Sequence, residues 1–277
     1  MQSPPQEILD HWQLTLIKPV AETGSAQVWK VRDPDGATAA LKLYRRAHRG
    51  NEAPGTNLLI AWQDRGAVHV LKETETAILM EWLEGPTLGD IARQGEVARA
   101  LDILAETAGR LHAPPLCRVA GMRPLTEVIN PLLDCRFDKT CPAGLARDIR
   151  RATQLAQNLL ETLAPGVALH GDLHPDNIIL TQTGPRVIDA KGYLGDPAFE
   201  LANAIRHPKG MPDLVRQPQH MERCLSLYAD ALGVQRQRLA EWAAVKCALS
   251  IFWRANRPIA DDKEADLLRL LLSVSGQ

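Results

Sequence analysis

The chain has 277 residues, 45% of them hydrophobic, which is enough for a substantial core and long for a single one. With 32 basic against 33 acidic side chains and a formal charge of -1, nothing favours nucleic acid or an anionic membrane surface as a partner, and a small-molecule substrate fits better. Cys117, Cys135, Cys141, Cys224 and Cys247 are scattered and form no CxxC pair, which excludes a disulfide framework and a zinc knuckle from the expectations and favours a reducing, cytoplasmic home. Residues 1–7 show neither the basic start nor the apolar stretch of a signal peptide, and no run approaches the roughly 18 apolar residues of a membrane span.

The first third of the chain has strand grammar. Leu14 to Val20, Gln27 to Arg32 and Thr38 to Tyr44 are short runs rich in Val, Leu, Ile, Trp and Thr, and Asp33-Pro34-Asp35-Gly36 marks a hairpin turn between the last two. Leu58, Leu59 and Trp62 share a helical face within 51–63, and two further strands are predicted at Ala67 to Leu71 and Ala77 to Trp82. Gly85-Pro86 is the best domain boundary, separating 1–84 from 85–277. Beyond it long helices are predicted at about 97–113, 144–163, 218–231, 236–255 and 261–274, while the proline-broken stretch 114–143 carries no clear pattern. Strands first and helices after them describe an α+β protein.

The chemistry sits in His170-Gly171-Asp172-Leu173-His174-Pro175-Asp176-Asn177, followed by Asp189 at the end of the apolar run Val187-Ile188. An Asp, an Asn five residues on and a second Asp closing a short strand supply a base for a hydroxyl nucleophile and two oxygen ligands for magnesium, the set that phosphoryl transfer requires. Singly, Asp172 could cap a turn, Asn177 could form an Asx turn and Asp189 could simply end a strand; together they point to one site. His170 and His174 stand four apart, but Gly171 and Pro175 argue against the helix that a zinc pair would need. Each is expected to be a packed loop histidine.

Lys42 lies in mid-strand, either facing solvent or supplying a point charge to nucleotide phosphates. Glu52 at the following helix start could fix Lys42 or merely favour the helix dipole. Gly24 and Ser25, in the loop Ala21 to Ala26, could cover phosphates with backbone N–H groups, or form a plain hairpin. Glu81, Trp82 and Leu83 could read an adenine edge through their backbone, or serve only as a linker. Asp196 and Pro197 read as an N-cap and first helical residue, which puts Glu200 in a first turn, facing the acceptor or solvent.

With these residues in view the chain resembles the aminoglycoside phosphotransferase family of kinase-like enzymes, and in particular its streptomycin 6-kinase and hydroxyurea phosphotransferase branch. The resemblance runs over nearly the full length and is carried by Val28-Trp29-Lys30-Val31, Pro34-Asp35-Gly36, Lys42, Glu52, Arg65-Gly66-Ala67-Val68, the octet 170–177 and Val187-Ile188-Asp189. It implies a bilobal, protein-kinase-like fold with a nucleotide-binding lobe and linker at 1–84 and a catalytic and acceptor-binding lobe at 85–277. It also implies ATP and Mg2+ as cofactors and transfer to a hydroxyl of a small, cationic acceptor such as streptomycin. By position Asp172 is then the base, Asn177 and Asp189 the metal ligands, Lys42 the phosphate lysine with Glu52 its partner, and Glu81 to Leu83 the adenine-contacting linker. Gly171 and Asp189-Ala190-Lys191 depart from the protein-kinase pattern and favour a small-molecule kinase, while the loop at Gly24 lacks a full glycine-rich pattern. An acceptor bearing guanidinium groups calls for carboxylates, and Glu200, Asp230, Asp261, Asp262 and Glu264 are available. Competing expectations are a kinase for hydroxyurea or another small alcohol and, from another class, a nucleotide-binding scaffold without catalysis, against which the intact Lys42, Asp172, Asn177 and Asp189 argue.

Overall fold

The computed structural model describes residues 3–46, 49, 52–115, 119–163, 166–256 and 258–276. A short helix α1 (Gln6–Trp12) leads into strands β1 (Thr15–Glu22), β2 (Ala26–Arg32) and β3 (Thr38–Tyr44), helix α2 (Ala53–Trp62), and strands β4 (Val70–Glu73) and β5 (Ala77–Glu81). Then come α3 (Leu88–Arg93), α4 (Val97–Leu111), β6 (Arg123–Pro124), α5 (Leu125–Leu133), α6 (Ala143–Glu161), β7 (Val167–Leu169), the hairpin β8 (Ile178–Thr181) and β9 (Gly184–Val187), and β10 (Tyr193–Gly195). The chain closes with α7 (Pro212–Val215), α8 (Pro218–Leu232), α9 (Arg236–Ala255) and α10 (Ala265–Val274). The α+β order expected from the sequence is therefore present, an antiparallel sheet first and a mainly helical part after it. The predicted helix start at 51 lies outside the described residues, as does Cys117.

The sheet runs β1-β2-β3-β5-β4. Side chains alternate across a strand, so each face reads one half of the sequence. One face packs Trp29, Val31, Leu41 and Leu79 onto Leu9 and Trp12 of α1, a small core separate from the main one. Each large side chain sealed there contributes roughly 1.5–3 kcal/mol. The other face carries Val28, Lys42 and Ile78 in register, and it faces the rest of the molecule. A mid-strand lysine is thereby presented to a cleft without interrupting either core.

Three expectations need correction. The run beginning at Ala67 does not enter the sheet there, because Val68 N–H donates to Val187 O at 2.9 Å and Val187 N–H to Gly66 O at 2.8 Å, so β4 starts only at Val70. Asp189 does not close a strand: β9 ends at Val187, and Asp189 has a left-handed backbone, φ 62°. The last helix begins at Ala265 rather than 261, since the Asp262 carboxylate accepts from Glu264 N at 2.8 Å and holds the approach as a loop. The unpatterned stretch resolves into β6 and α5, the latter with Pro131 inside it. Among the described residues no helix is long and apolar enough to cross a membrane.

Candidate active site

A cavity of about 470 Å³ lies under the inner face of the sheet. Its apolar roof includes Val28, Ala40, Ile78 and Met80, its rim Ser25, Glu81, Trp82 and Leu83, and its floor Asn177, Ile188, Asp189 and Lys191. Lys42 Nζ stands 2.6 Å from Asp189 Oδ1 and 2.9 Å from Glu52 Oε2. Lys191 Nζ approaches the other oxygens of the same two carboxylates, at 3.6 Å each. Burial alone would lower the Lys42 ammonium, but Asp189 and Glu52 outweigh it and raise its pKa. Burial likewise opposes ionisation of Asp189, yet Lys42 and Lys191 hold its carboxyl far below the usual range. The cluster thus sets two lysines against two carboxylates.

The loop that carries Asp189 is pinned from two sides. Gly55 in α2 presses on it so closely that a Cβ there would lie 1.8 Å from Ala190 O, which leaves only glycine at this crossing. Opposite, the sealed imidazole of His170 joins the segment at 170–172 to the one ending at Asp189. Its Nδ1 accepts from Asp172 N at 3.2 Å, so its Nε2 carries the proton and donates to Ile188 O at 2.9 Å. Lys191 N also donates to His170 O at 2.7 Å. Gly171 follows with φ 78°, where a Cβ would stand 2.5 Å from the Tyr193 ring. Larger residues at 171 have neither the backbone freedom nor the space.

Asn177 lies in a single 3-10 turn, Pro175–Asn177. Its Nδ2 donates to Asp172 O at 2.9 Å, and its main-chain oxygen accepts from Ile188 N at 3.0 Å. The amide nitrogen being committed, Oδ1 is the atom left for the cavity. With the carboxylate of Asp189 it makes a hard oxygen donor pair on one wall, the ligand chemistry that magnesium takes. Asp172 stands across the loop, with Oδ1 accepting from Asn203 Nδ2 at 2.8 Å and Oδ2 4.0 Å from His174 Nε2. Burial would raise its pKa, but Lys246, His174, Lys191 and His170 bring it below the usual carboxylate value. Asn203 is itself oriented by Arg206, whose Nη1 donates to Asn203 Oδ1 at 2.8 Å.

His170 and His174 share no ligand position. His174 stacks on His207 with ring centroids 3.9 Å apart, and both are buried. Together with Asp176 they bring potential ligand atoms close. Asp176, however, is taken by Arg93 at 2.8 Å and Lys209 N at 3.2 Å, and His207 Nδ1 donates to Asn203 O at 2.8 Å. The group is a hydrogen-bonded corner.

A family model described as aminoglycoside/hydroxyurea antibiotic resistance kinase matches residues 11–257. The chain belongs to this family. It is 32% identical over 251 residues to a streptomycin 3''-kinase of Klebsiella pneumoniae, covering 88% of this chain and 90% of the relative. It is 27% identical over 256 residues to a streptomycin 6-kinase of Streptomyces glaucescens, covering 90% and 81%. In structure it resembles a thermostable mutant of aminoglycoside phosphotransferase APH(4)-Ia in ternary complex with ADP and hygromycin B, at TM-score 0.68 and 13% identity over 99% of this chain and 98% of that one. The fold is bilobal and protein-kinase-like.

Within this family member, Lys42, Glu52, Asn177 and Asp189 meet at one cavity that Ser25, Glu81, Trp82 and Leu83 also line, whereas Gly24 is outside its lining. The acceptor-side carboxylates fare differently. Glu200 is not a first-turn residue facing acceptor or solvent: only Pro197–Phe199 is helical, the chain turns inward, and the carboxylate, 1% exposed, accepts from His170 N at 3.1 Å. Asp262 is held by Arg254 at 2.7 and 2.9 Å, and Glu264 by Arg206 and Arg254 at 2.5 and 2.7 Å. Asp261 is exposed and accepts from Asp262 N at 2.8 Å, and Asp230 is exposed in the last turn of α8. Sequence reading missed Lys191, Asn203, Arg206 and Lys246. Only Lys191 carried a signal, two residues after Asp189; the others reach the site through tertiary packing.

Proposed function

We propose that the protein is an ATP- and magnesium-dependent O-phosphotransferase that moves a γ-phosphate to a hydroxyl of a small molecule, an aminoglycoside such as streptomycin. In this reading 1–84 forms the nucleotide-binding lobe with its linker and 85–277 the catalytic and acceptor-binding lobe. The observation that carries it is the meeting of Lys42, Glu52, Asn177 and Asp189 at one cavity, with Asp172 fixed behind the same loop. Bound Mg·ATP supplies the phosphoryl group and spreads its charge. Asn177 Oδ1 and the Asp189 carboxylate hold the metal, and Lys42, kept protonated and positioned by Glu52, meets the phosphates. Asp172 orients the acceptor hydroxyl and takes its proton as the bond from that oxygen to phosphorus forms and the bond to the ADP oxygen breaks. Its depressed pKa keeps it ionised and ready to accept at neutral pH.

Similarity is higher to a 3''-kinase than to a 6-kinase of streptomycin, so the position phosphorylated belongs in the test. ADP release is measured with streptomycin, other aminoglycosides, hydroxyurea and simple alcohols, and the product is mapped by mass spectrometry. Turnover above the ATPase background with an aminoglycoside is expected, falling by roughly 10³-fold in Asp172→Asn with ATP affinity unchanged. Transfer only to hydroxyurea or a simple alcohol replaces the acceptor. ATP binding with transfer to nothing favours a scaffold and removes the reading.

A further inference from the structure

Arg206 ends a single 3-10 turn, Ala204–Arg206, and Asn203 is the residue that leads into it. Side chains three apart lie over one another in such a turn, so the two reach the same side. The Asn203 amide is thereby placed between two groups of opposite demand. Arg206 Nη1 donates to Asn203 Oδ1 at 2.8 Å, and Asn203 Nδ2 donates to Asp172 Oδ1 at 2.8 Å. A guanidinium only donates and an ionised carboxylate only accepts, so this amide has one satisfied orientation rather than two. Turned over, it would set its oxygen against the Asp172 carboxylate and its NH2 against the guanidinium. Its main chain is fixed as well, since the Asn203 carbonyl accepts from His207 Nδ1 at 2.8 Å.

Arg206 is anchored in turn by α9 and by the approach to α10. Its Nη1 also donates to Ser250 Oγ at 2.7 Å and its Nη2 to Glu264 Oε2 at 2.5 Å, an oxygen that accepts from Arg254 Nη2 at 2.7 Å as well. The arginine side chain is 6% exposed, and its buried Nε finds no partner among the described residues. A desolvated guanidinium with one bond unmade is a costly way to join two helices, which well-packed apolar side chains do without that penalty. What the guanidinium alone achieves is the fixed amide. Resting on the phosphotransferase reading above, we propose that Arg206 is a positioning residue for the base: acting through Asn203, it locks the amide with its N–H toward Asp172, so that one carboxylate oxygen is tied and the other is presented to the acceptor hydroxyl. Without Arg206 the amide is free to turn, and the carboxylate samples orientations in which its second oxygen misses that hydroxyl. Glu264 serves the same file one step further out, by keeping the guanidinium in place.

The test is a double-mutant cycle in the whole protein, on an acceptor that the wild type phosphorylates. Arg206→Met and Asn203→Ala should each lower kcat about tenfold with the ATP KM within twofold. The double variant should also stand about tenfold below wild type, because the second change removes nothing that the first has left. Arg206→Lys, with one ammonium in place of the planar fork, should recover part of the loss when Asn203 is present and none of it in Asn203→Ala. Where Arg206→Met does not fold, Glu264→Gln, a neutral side chain of the same shape, supplies the cycle: a roughly two- to threefold fall in wild type and none on top of Asn203→Ala. Losses that multiply, to about a hundredfold in the double variant, overturn the assignment. So does full kcat in Arg206→Met or, where that variant is not folded, in Glu264→Gln, and so does a loss carried by the ATP KM alone. Each of these leaves the transferase reading standing. Absence of wild-type transfer to any acceptor is the separate result that removes that reading itself.

Discussion

The two sides of the segment 170–191 manage charge in opposite ways. Toward the sheet, Lys42 and Lys191 face Glu52 and Asp189, cation against anion, at 2.6 to 3.6 Å. Toward α9, the single carboxylate of Asp172 is surrounded by the Asn203 amide, the buried imidazoles of His170 and His174, and Lys246 beyond ion-pair distance. The matched side holds its charge through its own partners. On the proposed function, the first side would serve the nucleotide and the second the acceptor.

The largest expected effect comes from breaking the matched side. Asp189→Ala leaves two lysines on Glu52 alone and, on the proposed function, would remove one of the two oxygens that hold the metal, a loss of several kcal/mol of charge stabilisation and roughly 10³-fold in turnover. ATP affinity should fall with it, because on the proposed function this carboxylate would hold the metal that accompanies the nucleotide. Steady-state kinetics with varied Mg·ATP give both numbers, and an unchanged ATP KM would break the division between the two sides.

Acid should separate them next. His207, its pKa pushed down by burial to about 4 from 6.5, binds no proton in the folded state over a range where the unfolded chain does, and His174 and His170 are depressed in the same direction. Stability therefore declines as pH falls from about 6.5 to 4, with His207 alone accounting for on the order of 3 kcal/mol. Asp189 has the opposite sign of dependence on ionisation: its depressed carboxyl contributes stability above the unfolded value of 3.8 and loses it only below that. Melting temperatures from pH 7 to 3 should show the α9 side giving way first. A flat profile down to pH 4.5 contradicts the neutral, stacked assignment of His174 and His207.

Asn203→Ala sharpens the acceptor side with a smaller effect. It removes one hydrogen bond to a charged carboxylate and the contact to the Arg206 guanidinium, which keeps its bonds to Glu264 and Ser250, so turnover should fall about tenfold with the ATP KM within twofold. A fall in ATP affinity instead would make Asn203 part of the nucleotide side. This residue also marks how far the sequence could be read. Lys42, Glu52, Asn177 and Asp189 were legible because a short motif at fixed spacing reports a local geometry, and the strand alternation that presents Lys42 is local too. Asn203, Arg206 and Lys246 were not, since the path from α9 to Asp172 is set by packing of helices distant in sequence. The carboxylates nominated for a cationic acceptor failed for a related reason: whether Asp262 is free depends on Arg254, eight residues away across a loop, and Glu200 depends on a helix that stops after one turn.

The smallest effect is expected at Gly24, and it tests what the hairpin over the cavity can do. Gly24 has no left-handed backbone, and a Cβ built on it meets nothing within 4 Å. The loop's donors are already partly engaged: Thr23 Oγ1 accepts from Ala26 N at 3.1 Å and from Ser25 N at 3.4 Å, while Ser25 O accepts from Arg45 N at 2.9 Å. A hairpin closed by its own threonine does not need glycine to admit phosphate, in contrast to a loop whose amides all turn inward. Gly24→Ala should leave ATP affinity within twofold and the melting temperature unchanged or slightly raised, since alanine restricts the unfolded chain more than glycine does. A tenfold loss of ATP affinity in this variant would show that the hairpin rearranges over the nucleotide, moving part of the phosphate binding from the Lys42 cluster to backbone amides.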